Sequence, residues 1–328
     1  MCRSCPRLPA VEIMDVPTED YSSYFRDVHG RKVNVLNARY ALPADDEELK
    51  RFDILHRLTR FVLGGANYVG PVKKVLAPER APVGDKLRVL DLGTGGGLWA
   101  IDMADEFPHA EVLGVDLAPL QPQWVPANCT FELCDLDTHC LPYESNSFDV
   151  VHARNIIAGI SNYPHFVHEL TRILRPGGVL LLIEFDLRPI ADGNIVTKDS
   201  ERRTEVYGWA TLADEIQRCL AGRGIDVTVP EHMGVIAHNT GWYSEVLQQH
   251  ADVPIGFWPK DSTLLTVGQL AWMNFDLLMI AVKPLLLSSG IPEPMVKRLI
   301  KDAQADLYQP LRNISTRLHL VHAIKRAD

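Results

Sequence analysis

Two rhythms of apolar and polar residues divide the chain. Over 44–63, "ADDEELKRFDILHRLTRFVL", Leu49, Phe52, Ile54, Leu55, Leu58, Phe61 and Val62 recur at roughly helical spacing. The acidic start suits the positive end of a helix dipole, so this segment predicts a helix. From residue 87 the period shortens. Apolar runs at 87–92 ("LRVLDL"), 111–117, 130–136, 147–154 and 179–186 predict buried strands. Helices are expected between them at 98–108, stopped by Pro108, and at 163–178, closed by Pro176, Gly177 and Gly178. Strands alternating with helices imply parallel pairing through right-handed crossovers, an open α/β sheet covered on both faces. Beyond Ile190 the strand signal fades. Helices are expected over 199–222, 230–250, 264–288 and 292–308, with a strand at 253–259 and a closing strand near 317–326. Residues 1–30 show no clear period and are expected to form an arm.

Composition narrows the partners. The 328 residues carry a formal net charge of −9. An acidic surface repels phosphate backbones, so no nucleic acid partner is expected. No run of about 18 apolar residues is read, so no membrane span is expected. The start, "MCRSCPRLPAVEIMD", lacks the apolar segment of a secretory signal, and a cytoplasmic location follows as the expectation. Six cysteines are then expected to remain thiols. Cys2 and Cys5 form a C-x-x-C, but no second pair at zinc spacing follows, so no metal site is expected.

The chemistry begins at "VLDLGTGGGLWAIDMA", residues 89–104. No lysine follows the glycines, which excludes the Walker loop for ATP. The dinucleotide fingerprint G-x-G-x-x-G, begun at Gly93 and Gly95, requires a third glycine where Leu98 stands. Acid-x-Gly-x-Gly-x-Gly fits throughout, with Asp91, Gly93, Gly95 and Gly97. A carboxylate at that strand end repels a pyrophosphate and suits the ammonium and sulfonium of S-adenosylmethionine. Thr94 lies between the first two glycines. Asp116, at the end of the next strand, is placed to hold ribose hydroxyls, with Leu117 beside it. Asp135, after the third strand, is placed to accept from an adenine amine, with the Leu136 amide beside the ring.

These residues resemble the class I, seven-stranded S-adenosylmethionine-dependent methyltransferases, and within them the fungal LaeA-like group. The likeness runs through "LDLGTGGGLWAIDMADEFPHAEVLGVDLAPLQPQWVPANCTFELCDLD", "FDVVHAR", "LRPGGVLLLIEFD" and the upstream "NARYALPADDEELKRFDILHRL". It covers Tyr40 to Asp186 well and the last third loosely. Cys134 stands where relatives carry another acid, which leaves Asp135 as the acid at the adenine site. The resemblance implies a Rossmann-like, doubly wound sheet of order 3-2-1-4-5-7-6 with strand seven antiparallel, an N-terminal helical lid and a C-terminal helical cap. Residues 1–80 would be arm and lid, and 81–328 the catalytic domain, with a cap inserted at about 190–250. Tyr40 and His56 would be lid residues near the methionine end. Arg154 and Asn155, past strand four, would face the methionine and the methyl group.

His152, near neutrality when unperturbed, and Glu184, ending strand five, are the candidate catalytic residues. In-line displacement at the methyl carbon would leave S-adenosylhomocysteine and a methylated acceptor. O-methylation of a small secondary metabolite, a phenol or carboxylic acid, is the expected reaction. The alternative is a regulator of secondary metabolism acting through protein partners, for which a nuclear location is admissible.

Overall fold

The computed structural model describes residues 11–12, 18–81, 83–196 and 207–327. Cys2, Cys5 and positions 199–206 of an expected helix lie outside these. Seven strands build the main sheet: β1 (Leu87–Leu92), β2 (Ala110–Asp116), β3 (Cys129–Leu133), β4 (Phe148–Arg154), β5 (Leu174–Phe185), β6 (Tyr243–Ile255) and β7 (Ile314–Lys325). The first five pair in parallel in the order 3-2-1-4-5, and β7 lies antiparallel between β5 and β6. The order is therefore 3-2-1-4-5-7-6. Val11–Glu12 adds two residues beside β3, and Ile190–Ala191 and Asn194–Ile195 form a small hairpin beside β7.

Both faces of this sheet are buried because apolar residues fill both sides of its central strands. Leu87 and Val89 meet Trp99, Ala100 and Met103 of α2 (Leu98–Glu106) on one face. Leu90 and Leu92 share the other face's core with Phe166, Val167 and Leu170 of α3 (Tyr163–Ile173). Alternation along one strand thus feeds two cores.

The N-terminal helix α1 (Asp46–Val62) starts where expected. Asp45 caps it, accepting from the Glu48 N–H at 3.2 Å. Its inward face departs from the apolar pattern: Glu48, Arg51 and His56 are buried with Leu55 and Leu58, while Phe61 is exposed.

Among the described residues, five helices follow β5: α4 (Tyr207–Ala221), α5 (Val229–Asn239), α6 (Ser262–Ala281), α7 (Lys283–Ser288) and α8 (Glu293–Tyr308). Residues 243–250, expected to be helical, instead open β6, which pairs with β7 along its length. The segment "YSEVLQQH" favours a helix by residue type, but its outer edge is solvated and polar, and pairing decides its state. The expectation of no membrane-length apolar run is also corrected. Ser262–Ser288 is long and apolar enough by length and composition, and half of its most apolar window is buried inside the protein. Val267, Ala271, Phe275, Met279 and Leu286 spend that apolarity on a core shared with α1, α4 and α8.

Candidate functional site

Where β1 ends, the glycine turn is pressed from two sides. Gly93 has φ +69°, and a Cβ there would lie 2.4 Å from the Ile156 side chain, in the turn after β4. Gly95 has φ +57°, and a Cβ would stand 3.1 Å from the Phe52 ring of α1. Only glycine meets both demands, so the turn, the β4 loop and the lid helix are in direct contact.

Between them opens a cleft, about 1080 Å³ with the space open to solvent included, at the carboxyl ends of β1, β2 and β4. Tyr40, His56, Gly93, Thr94, Gly95, Asp116, Leu117, Asp135, Leu136, Arg154 and Asn155 all line it. Asp116 is held by the Gly95 N–H at 2.8 Å and the Leu117 N–H at 2.7 Å. Burial pushes its carboxyl up to about 6, against those donors. Asp135 is likewise pushed up by burial, while the Asp137 N–H and the Asn37 amide, both at 3.0 Å, oppose the shift.

At the opposite end Arg154 is the last residue of β4. Its guanidinium has no carboxylate partner among the described residues, and burial lowers its pKa. Its Nη2 donates to His56 Nδ1 at 3.3 Å, while His56 Nε2 meets Asp102 at 3.0 Å. Burial lowers the His56 pKa. A neutral ring with its proton on Nε2 satisfies both contacts, a tautomer assigned from its partners.

Three expected site residues do not line the cleft. Asp91 is buried beneath the turn, accepting from Thr94 Oγ1 at 2.6 Å and facing His152 Nδ1 at 2.7 Å. The β1–β4 register, which pairs Asp91 with His152, puts the two side by side. His152 also stacks on Trp99, ring centroids 3.8 Å apart, and burial keeps its pKa low. It therefore supports the turn, and the expectation that it acts as a base is corrected. Glu184 is corrected in the same way. Its Oε1 accepts from the Ile156 and Ile157 N–H groups at 2.9 and 3.2 Å, shaping the β4 loop from behind. With no cation beside it among the described residues, burial raises its carboxyl to about 8.

The sequence pattern missed Asn37 and Arg51, which also line the cleft. Arg51 donates to Glu48 at 2.6 and 3.0 Å and to Asn274 of α6 at 3.1 Å. A polar pair on the inward side of a helix was the available signal.

A family profile described as a methyltransferase domain matches residues 89–178. Methyltransferase pytC of Aspergillus terreus is 29% identical over 249 residues, 75% of this chain and 71% of that protein. The secondary metabolism regulator laeA of Aspergillus fumigatus is 26% identical over 321 residues, 93% of this chain and 76% of that protein. The secondary metabolism regulator LAE1 of Cochliobolus heterostrophus is 32% identical over 239 residues, 73% of this chain and 72% of that protein. Similarity of that depth, over a sheet of this order, means that the chain belongs to the LaeA-like group of class I S-adenosylmethionine-dependent methyltransferases.

Proposed function

We propose that the chain methylates an oxygen of a small organic acceptor in secondary metabolism, a carboxylic acid or phenol. The observation that carries this reading is the wall of the cleft beyond the glycine turn. Leu42, Pro43, Leu55, Ile156 and Ile160 line it, and α1 packs over the turn, which suits an enclosed apolar molecule. The cofactor supplies a methyl group made electrophilic by its sulfonium. The residues present fit it: Arg154 is a half-buried cation suited to the methionine carboxylate, Asp116 to the ribose hydroxyls and Asp135 to the adenine amine. Asp91 would face the cofactor's positive end from beneath Thr94, whose hydroxyl donates to it.

The chain's remaining work is positioning and exclusion of water. Burial raises the Tyr40 phenol, so it stays protonated and orients the acceptor through its hydroxyl. His56 is occupied by Arg154 and Asp102. An acceptor that arrives ionised, or nearly so, fits this environment.

The test is incubation with methyl-labelled S-adenosylmethionine and a fungal extract, with labelled small molecules separated from labelled proteins. Label in the small-molecule fraction, released as methanol by mild base for an ester or retained for an aryl ether, is the expected result. Label confined to protein overturns the reading. That outcome would favour a regulatory role through protein partners, a second reading supported by the description of two relatives as regulators.

A further inference from the structure

We infer that Asn37 is the residue through which the lid sets specificity for adenine, by holding the Asp135 carboxylate so that one oxygen alone faces the base. This rests on the reading of Asp135 as the adenine acceptor. Asp135 Oδ1 accepts from Asn37 Nδ2 and from the Asp137 N–H, both at 3.0 Å. Oδ2 accepts from no group among the described residues, and Asp135 lines the cleft. A carboxylate loaded on one oxygen and bare on the other welcomes an amino group and opposes a carbonyl.

Asn37 is itself fixed. Its N–H donates to Asn34 Oδ1 at 2.7 Å, and its own Oδ1 accepts from the Arg39 and Tyr40 N–H groups at 2.8 and 3.3 Å. With Oδ1 spent on the turn, Nδ2 is the atom turned to Asp135. Asn37 is 6% exposed, so the contact is shielded from water. Beside it Arg39 pairs with Asp137 and donates from Nε to the Arg223 carbonyl at 2.9 Å, which clamps the turn to two further loops. Docking of the lid and reading of the base are thus a single arrangement. Asn37 acts through Asp135 and is a positioning residue.

The experiment compares binding of S-adenosylhomocysteine with S-inosylhomocysteine, in which a carbonyl replaces the adenine amine, by calorimetry on the full chain. The unaltered protein is expected to prefer the adenosine compound by about tenfold or more. Asn37→Ala is expected to reduce that preference to about threefold or less, because Asp135 loses its fixed orientation. Asn37→Ser keeps a side-chain oxygen that can accept from the turn's N–H groups and is too short to reach Asp135. It should lose the preference as well, with a melting temperature that reports whether the turn is kept. Equal weakening of both ligands with the preference intact in these variants overturns the role of Asn37. An unaltered protein that does not discriminate overturns the Asp135 reading itself, a distinguishable result.

Discussion

Two half-buried carboxylates in the cleft share a fate that follows from where they sit. Asp116 is raised to about 6 by burial although three backbone N–H groups favour its ionised form. In the proposed role, only the ionised form would accept from ribose hydroxyls on both oxygens. Cofactor affinity is therefore expected to hold above pH 6 and to fall as pH drops through 6, since protons compete for the carboxylate. Isothermal titration with S-adenosylhomocysteine across pH 5 to 8 checks this, and a flat profile argues against the role. Asp116→Ala should weaken binding by about 1–3 kcal/mol, the loss of a hydrogen bond to a charged group. It should also flatten that pH dependence. His56 works at the same scale by staying neutral: its bare Nδ1 is what keeps Arg154 aimed at the cleft.

At the scale of elements, the β4 loop is held by a group that does not line the cleft. Glu184 is raised to about 8 in the native protein from an ordinary glutamate value when unfolded. Between those values the folded state binds more protons than the unfolded one. Stability is therefore fully present at low pH, declines as pH rises through this window and levels off above 8. Melting temperatures from pH 5 to 9 should show the decline, and Glu184→Gln, which keeps an acceptor for both N–H groups, should remove Glu184's share of it. The glycine turn makes a second case. Gly95→Ala forces a left-handed φ on a residue with a Cβ and presses it toward Phe52. A destabilisation of about 1–2 kcal/mol is expected from the backbone alone. Weaker cofactor binding should accompany it if α1 is displaced.

In the molecule as a whole, the lid is tied to the helices inserted between β6 and β7. Arg51, buried and paired with Glu48 on α1, donates across to Asn274 of α6. Arg51→Ala leaves Glu48 buried without its cation and should cost about 3–5 kcal/mol. The double variant Glu48→Leu, Arg51→Met should recover most of this, measured by denaturant unfolding. Failure to recover would mean that the pair, with its bond to Asn274, contributes net stability to the docked lid.

How much of this was legible in the sequence depends on how local each cause is. The glycine turn, the acids after β2 and β3 and the strand runs of β1 to β5 follow from short-range rules: positive φ, charge and strand periodicity. Asp91, His152 and Glu184 were legible as residues at the right strands, yet their surroundings were not. The sheet register joins Asp91 to His152, and the β4 loop folds back onto Glu184. Strand β6 was hidden because an edge strand with a polar outer side carries a weak alternation, and its pairing with β7 lies far along the chain. Sequence by itself determined which cofactor this turn accepts, because the charge and backbone freedom that select it lie within a few consecutive residues. Tertiary structure alone decided which groups face the cleft and which stand behind it. It also brought Asn37 to Asp135 and Arg51 to Asn274, since contacts between remote segments are set by packing and leave no periodic trace in the chain.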